Sequence, residues 1–155
     1  MVPAPEEGLP EEVFLLVSRL TPLVNVDLLI RDDSGRTLLT WREDRFYGSG
    51  WHVPGGIIRY RETAAERLRA VAKEELRSGV AFASEPMGVY ETIDRRTRDR
   101  GHLISLLYAC RLLDPLDERR RFVPEEPQEN QWRWHTKCPN ELIAAQRHYE
   151  RFIGS

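Results

Sequence analysis

The stretch GWHVPGGIIRYRETAAERLRAVAKEELRSG, residues 50–79, decides the fold. It contains a Pro-Gly-Gly turn at residues 54–56, followed by residues 62–76, which lack Gly and Pro and are rich in Ala, Glu, Arg and Leu. This composition predicts a helix over residues 62–76, ended by Ser78 and Gly79. The stretch therefore predicts a glycine loop that leads into a helix.

One glutamate falls on the face of this helix that should be buried. At about 100° per residue, an apolar stripe is centred on Leu68 and includes Ala64, Val71, Ala72 and Leu76. Glu75 lies about 20° from Leu68, inside the stripe, and Glu74 lies about 120° away, at its edge. A buried salt bridge or a slightly rotated helix would explain Glu75. A hard cation such as Mg²⁺ would explain it too, since Mg²⁺ binds carboxylates.

The glycine loop favours the cation. A plain turn accounts for Pro54, Gly55 and Gly56 taken alone. Glycines also let a backbone approach a ligand closely, and backbone carbonyls can join a metal shell. Because Glu75 follows about one helix length later, the loop and the glutamate together favour a ligand site.

The spacing of these residues resembles the signature of the Nudix family, G-x5-E-x7-R-E-U-x-E-E-x-G-U, in which U is aliphatic. Gly56 fits the first glycine, and Glu62 follows after five residues. Glu74 and Glu75 align with the E-E pair, and residues 50–56 resemble the family's G-x-W-x-x-P-G-G entry. The resemblance covers the chain from about Leu23 to the C-terminal helix and implies one Nudix-like hydrolase domain over residues 1–155. Residues 1–10 are themselves expected to form a flexible lead-in. It also implies an α/β fold, a Nudix-like α/β/α sandwich with a mixed β-sheet between helices.

The departures from the signature point to one branch of the family. Ala70 stands at the signature Arg, Val71 at the first Glu of R-E-U-x-E-E, and Arg77 at the later Gly. In typical members that first Glu helps bind the metal for attack on phosphorus. The GDP-mannose mannosyl hydrolases are similar in this loss. They keep the last Glu and hydrolyse the sugar C–O bond, releasing GDP.

In that branch a late segment carries a metal-binding Gln and a catalytic His just before Y-R-W. Here Gln128 matches the Gln, and Glu129 stands at the position of the His. A carboxylate can also act as a general base for water, although the exchange could equally indicate another substrate. The resemblance thus implies Mg²⁺ or Mn²⁺ at Glu75, assisted by Glu74 or Gln128 and by the carbonyl of Gly55 or Gly56. It implies catalytic roles for Glu129, Glu75 and Glu74.

Two residues are candidates for substrate binding because of the resemblance. Asp27 is the single acid in an apolar run that looks like the opening strand of the mannosyl hydrolase branch. An outward-facing strand residue is the simpler interpretation. Arg42 follows the second strand, where the resemblance suggests a phosphate contact, and an exposed strand end is the alternative.

Three further candidates rest on position alone. Arg59 lies beside the glycine loop, and Arg98 lies in the charged loop of residues 94–101. Guanidinium groups at either position could face phosphate or solvent. His102 opens a strand after that loop, where a lone histidine is more often structural.

The rest of the chain is predicted to form strands interspersed with helices. We predict helices over residues 10–20 and 139–153, a loop at 46–50, and strands at 23–30, 36–41, 51–53, 87–93, 102–113 and 131–135. The Asp-Asp-Ser-Gly turn at residues 32–35 predicts that the first two strands form a hairpin. Trp132 and Trp134 share a strand face and are expected in the core. The pattern favours a mixed sheet covered by helices on both faces.

Composition excludes several classes of function. The chain has 155 residues and a net charge of −2, with 23 basic and 25 acidic residues, which argues against nucleic-acid binding. No apolar run approaches the roughly 20 residues that span a membrane. Cys110 and Cys138 are expected as free thiols in a reducing cytoplasm. We expect a cytoplasmic protein with a small-molecule nucleotide-sugar substrate, for which a homodimer is compatible with the sequence.

Three functions stay open at this point. The first is cleavage of a nucleotide sugar at the glycosyl C–O bond, giving a nucleoside diphosphate and a sugar. The second is a pyrophosphohydrolase that cleaves the P–O–P bond of a nucleotide or nucleotide sugar. The third is a non-catalytic nucleotide-binding module, since fold alone does not decide function.

Overall fold

Eight strands and two helices make up the computed structural model, which describes residues 4–154 except for the side chain of Asp44. Residues 1–3, part of the predicted lead-in, and Ser155 lie outside the described residues. The helices are α1 (Glu11–Leu20) and α2 (Ala64–Val71), and α2 continues as a π-helical turn (Ala72–Leu76). Three 3-10 segments are Pro5–Glu7, Glu118–Arg120 and Ala144–Phe152. The strands are β1 (Leu23–Ile30), β2 (Thr37–Asp44), β3 (Gly48–His52), β4 (Gly55–Ile57), β5 (Val80–Phe82), β6 (Gly88–Ile93), β7 (His102–Leu112) and β8 (Trp132–His135).

The strands form two sheets. The larger has the order β4-β1-β7-β5, with β6 also paired to β7, and the smaller has the order β3-β2-β8. Strands β1 and β7 run parallel, from Leu23 opposite Leu103 to Ile30 opposite Cys110, and the other pairs are antiparallel. The mixed α/β architecture and the pairing of β6 with β7 confirm the prediction.

The predicted hairpin of the first two strands is wrong. Strand β1 lies in the larger sheet and β2 in the smaller, and one bridge between Arg31 and Thr37 joins them. The Asp32 carboxylate closes the intervening turn by accepting the amides of Ser34 and Arg36. Beyond the turn the strands separate, because β1 is buried along nearly its whole length and therefore takes a neighbour on each side.

Two hydrophobic clusters place the helix and the C-terminal segment in the core. The first packs α2 against the larger sheet and contains the predicted stripe, with Leu68, Val71, Ala72 and Leu76 all buried. The second packs the C-terminal segment through Tyr149 and Ile153. Trp132 is buried in the first cluster, as predicted, and Trp134 is partly buried and packs against that cluster. Cys110 and Cys138 are free thiols, as expected, and burial raises the pKa of Cys110 to about 12.

Two other predicted elements differ in extent. The closing helix begins at Ala144 as a 3-10 helix, because residues 141–143 instead bond β3: the Trp51 amide donates to the Glu141 carbonyl, and the Ile143 amide to the Trp51 carbonyl. Residues 48–50 of the predicted loop belong to β3, where they pair with β2. Within residues 4–154, no helix is long and apolar enough to cross a bilayer.

Candidate active site

Glu75 lies in the π-helical turn that continues α2, and 16% of its side chain is exposed. Its Oε2 accepts a hydrogen bond from Thr40 Oγ1 at 3.1 Å, and its Oε1 accepts the Gly55 amide at 3.4 Å. His52 Nε2 lies 3.5 Å from Oε2. Within residues 4–154, no Lys or Arg forms an ion pair with Glu75. Within the described residues no ion pair with Lys or Arg therefore explains this mostly buried carboxylate, on which the charge of Arg120 acts only from a greater distance, and a bound cation would suit it.

The neighbouring Glu74 is in a different environment. Its side chain is 58% exposed, and its Oε2 lies 3.7 Å from Arg67 Nη1. Glu75 is therefore mostly buried and Glu74 mostly exposed, as their predicted angles around the helix indicate. Among the described residues no group of three His, Cys, Asp or Glu side chains could hold a metal ion.

Glu62 fixes the glycine loop to the helix. Its carboxylate accepts two hydrogen bonds from the buried Arg67, at 2.9 and 2.7 Å, and one from the Arg59 amide at 2.8 Å. Partial burial alone would raise the pKa of Glu62, but these donors outweigh it and lower the pKa. The helix itself begins at Ala64, two residues later than predicted, because Thr63 is the N-cap.

The two glycines of the loop are required by close packing. A Cβ on Gly56 would stand 2.8 Å from Val71 Cγ2, so the loop lies directly on the helix. A Cβ on Gly55 would stand 2.1 Å from Asp27 Oδ1 and could not be accommodated. The Gly55 backbone therefore lies between two carboxylates, with Asp27 against its Cα and Glu75 at its amide.

Asp27 is buried rather than outward-facing, with 3% of its surface exposed. Its carboxylate accepts hydrogen bonds from the Tyr149 hydroxyl at 2.6 Å and from Asn25 Nδ2 at 3.0 Å. Burial raises the pKa of Asp27 to about 6, although Tyr149 and Asn25 stabilise the ionised form. The strand β1 therefore presents a carboxylate that titrates near neutral pH.

A cavity of about 260 Å³ opens beside this carboxylate, and its polar lining includes Asn25, Asp27, Arg42, His52, Arg100, Ser105, Gln146 and His148. A second cavity of about 530 Å³ lies beneath the loop of residues 94–101. Tyr47, Thr92, Arg100, Leu103 and Ala145 line both cavities, so the two form one cleft. The cleft starts at the glycine loop and ends at the β6–β7 loop.

The other predicted substrate-binding residues are dispersed. Arg42 lines the cleft beside Tyr47, whereas Arg59 lines a separate apolar cavity against the N-terminal segment. Arg98 is exposed on the β6–β7 loop. His102 Nε2 lies 3.5 Å from Glu91 Oε2, and neither residue lines the two cavities of the cleft.

Gln128 and Glu129 are exposed on the loop that precedes β8. The amide of the next residue, Asn130, donates to the Trp41 carbonyl at 2.9 Å. Because Trp41 follows Thr40, the hydrogen-bond donor to Glu75, this loop lies alongside the strand that supports Glu75. No hydrogen bond joins Gln128 or Glu129 to Glu75 in the part of the chain that the structure describes.

Sequence reasoning missed several residues that the structure brings to the site. His52 stood within the quoted motif, so its position next to the glycine loop could have identified it. Tyr149 is 122 positions from Asp27 in the chain, and the pattern of its own segment indicates only a helix face. Arg100 lies in the charged loop of residues 94–101, where composition alone does not distinguish it from Arg98.

Comparison with known proteins agrees with this geometry. The model of the NUDIX domain matches residues 21–151, which is most of the chain. This chain belongs to the Nudix family. It is a Nudix hydrolase, and enzymes of this family generally use divalent metal ions and act on small-molecule nucleotide substrates.

Three similar proteins illustrate the range of the family. The low-salt glycan biosynthesis protein Agl8 of Haloferax volcanii is 33% identical over 114 residues, 71% of this chain and 72% of the relative. A MutT NUDIX hydrolase from Burkholderia pseudomallei has a TM-score of 0.65 and 21% identity, covering 86% of this chain and 98% of that one. An ADP-ribose pyrophosphatase from Streptococcus suis has a TM-score of 0.56 and 17% identity, covering 86% and 87%. The two structures support the fold alone.

Proposed function

We propose that this Nudix hydrolase cleaves a nucleotide sugar, such as a GDP-mannose-like compound, at the glycosyl C–O bond and releases a nucleoside diphosphate and a free sugar. The observation that carries this proposal is the position of Val71. Val71 is 2% exposed and contacts Gly56, where typical members of the family carry the first metal-binding Glu. The helix therefore offers one mostly buried carboxylate at the glycine loop, that of Glu75.

A site with a single protein carboxylate suits a metal ion that the substrate also coordinates. Mg²⁺ is usually bound through one or two carboxylates together with substrate phosphates, and it keeps several waters. Glu75, with backbone oxygens of Gly55 or Gly56 and with Glu74 or Gln128 as further ligands, matches that donor set. Mg²⁺ or Mn²⁺ held there would neutralise charge on a departing diphosphate. Within residues 64–76, the helix and its π-helical turn carry no second buried carboxylate, which disfavours activation of water on the metal for attack at phosphorus.

The cleft offers groups suited to the two halves of such a substrate. Asn25, Asp27 and Ser105 form a hydrogen-bonded wall, in which Ser105 Oγ donates to Asn25 Oδ1 at 2.8 Å. Polar groups of this kind suit sugar hydroxyls. The guanidinium of Arg42 suits a phosphate. The name of the relative from Haloferax volcanii, a glycan biosynthesis protein, supports a sugar-linked substrate.

In the proposed reaction a water attacks the anomeric carbon. Glu129 removes the proton from that water as its oxygen bonds to carbon. The C–O bond to the β-phosphate breaks, and its electron pair remains on the departing phosphate oxygen. The sugar is released with the water oxygen, and the nucleoside diphosphate leaves intact.

A screen of nucleotide sugars with Mg²⁺ and chromatographic identification of both products tests the proposal. We expect a nucleoside diphosphate and a free sugar, and no turnover after chelation of the metal. A nucleoside monophosphate with a sugar phosphate would instead show P–O cleavage and contradict the proposal. Binding without turnover of any member of the screen would contradict it as well.

A further inference from the structure

Arg100 lines the cleft, and the metal site and the sugar-facing wall described above give it no role. It has a φ of 55°, in the left-handed region that residues other than glycine seldom adopt. Its amide donates to Ser18 Oγ of α1 at 3.1 Å, which fixes this backbone conformation. Its Nε is buried and, within residues 4–154, has no hydrogen-bond partner. A strained residue that holds an unsatisfied donor suggests a ligand at that position.

Aromatic rings hold the guanidinium without neutralising it. The Arg100 Cζ lies 5.6 Å from the ring centroid of Phe14, 5.1 Å from that of Phe46 and 5.0 Å from that of Tyr47. Contacts of this kind orient a cation but leave its formal charge and its N–H donors in place.

The acids of the surrounding loop are engaged elsewhere. Asp94 accepts from Arg96 at 2.9 Å, and Asp99 pairs with Arg19 of α1. Among the side chains that the structure describes, no carboxylate forms an ion pair with Arg100. Within the described side chains, its charge in the cleft is therefore not compensated by an ion pair.

Arg42 lies over the same aromatic ring. Its Cζ is 4.9 Å from the Tyr47 centroid, so two guanidinium groups share one ring. Both arginines line the cavity that begins at Gly55, and Arg100 also lines the cavity under the β6–β7 loop. Because these distances are 4.9 and 5.0 Å, the two Cζ atoms are at most 9.9 Å apart.

We propose that Arg100 is a second phosphate-binding residue, which binds the diphosphate of the substrate together with Arg42. Guanidinium groups bind phosphate oxygens through paired N–H donors, and Arg100 lines the cleft with its guanidinium free of any ion pair among the described side chains. The proposal rests on the proposed function, because it takes a nucleoside diphosphate compound as the ligand. It assigns a residue that the family signature does not contain.

Calorimetric titration with inorganic pyrophosphate in EDTA tests Arg100 apart from catalysis and from the metal. We expect the wild-type protein to bind pyrophosphate and Arg100→Met, which keeps an unbranched side chain between the rings, to bind it at least about tenfold more weakly. Arg100→Gln is the second variant, in case the first does not fold. Arg151→Met is the matched control: Arg151 also stacks on aromatic rings, those of Tyr90 and Phe152, but lies outside the cleft. The control should bind within about twofold of wild type.

The proposal is overturned if either Arg100 variant melts at the wild-type temperature and binds pyrophosphate within about twofold of wild type. A wild-type protein that does not bind pyrophosphate also overturns it. The titration contains no nucleotide sugar, so its failure would leave the product assay for the proposed function unaffected.

Discussion

The two ends of the cleft carry opposite charges, and each charged group is held by a different kind of contact. At one end Glu75 is held by neutral donors, Thr40 and the Gly55 amide. At the other end the guanidinium of Arg100 is held by aromatic rings. Among the described side chains, neither group forms an ion pair with a Lys, Arg, Asp or Glu residue, and the cavity that begins at Gly55, whose amide bonds Glu75, is lined by Arg100. A substrate that carries a metal-bound diphosphate would compensate both ends at once.

The largest effect is expected at the acidic end. Glu75→Gln keeps the size of the side chain and its hydrogen-bond acceptor but removes the charge that a cation needs. We expect kcat to fall roughly 10³-fold or more, since metal ions supply several kcal/mol of charge stabilisation. The measurement is steady-state turnover at saturating substrate, with the melting temperature as a check on folding. Near-normal activity would place the metal elsewhere.

Glu129 tests whether the water-activating group lies outside the helix. Glu129→Gln should lower kcat by about 10²-fold and change metal affinity little, because a general base contributes about 10² to 10⁴-fold. Glu125→Gln, another exposed acid of the same loop, is the control and should keep the wild-type rate. Equal rates in the two variants would remove Glu129 from the mechanism and return the search to Glu74 and His102.

Asp27 lies between the two ends and should impose a pH dependence on stability. Its pKa is raised from 3.8 to about 6 by burial, so the native state holds a proton that the unfolded chain releases between these values. This carboxyl therefore contributes stability below about pH 4 that is lost as the pH rises to about 6, by up to about 3 kcal/mol.

Asp27→Asn should remove that dependence. In urea unfolding at pH 4 and pH 7, the variant should gain up to about 3 kcal/mol at pH 7 relative to pH 4, compared with wild type. Asp33→Asn, at an exposed acid, should follow the wild-type curve. A wild-type pH profile in Asp27→Asn would show that another group causes the dependence.

The smallest effect is expected at Glu74. Because its side chain is 58% exposed and lies near Arg67, it is a weaker metal ligand than Glu75. Glu74→Gln should raise the Mg²⁺ concentration for half-maximal activity by less than about tenfold. A loss of turnover as large as that of Glu75→Gln would reverse the assignment of the two glutamates.

The two ends also differ in how far the sequence predicts them. Gly55, Gly56 and Glu75 lie within one short stretch, and their spacing alone predicts a carboxylate at a glycine loop. Arg100 and Asp27 meet the cleft through contacts to Ser18 and Tyr149, from 82 and 122 positions away. Hydrophobic periodicity within one segment cannot predict contacts between residues so far apart in the chain.

The predicted hairpin failed for a related reason. The turn at residues 32–35 forms as its sequence indicates. Strand β1 nevertheless pairs with β4 and β7, because both of its faces are buried. Local turn chemistry decides where a chain reverses, but sheet membership depends on what covers each strand.

The bond that is cleaved is the central claim, and hydrolysis in ¹⁸O-labelled water tests it most directly. With the nucleotide sugar that the screen identifies, mass spectrometry of both products shows which one receives the water oxygen. The account predicts the label on the sugar and an unlabelled nucleoside diphosphate, since water attacks the anomeric carbon. Label on a phosphate would show attack at phosphorus and contradict the account.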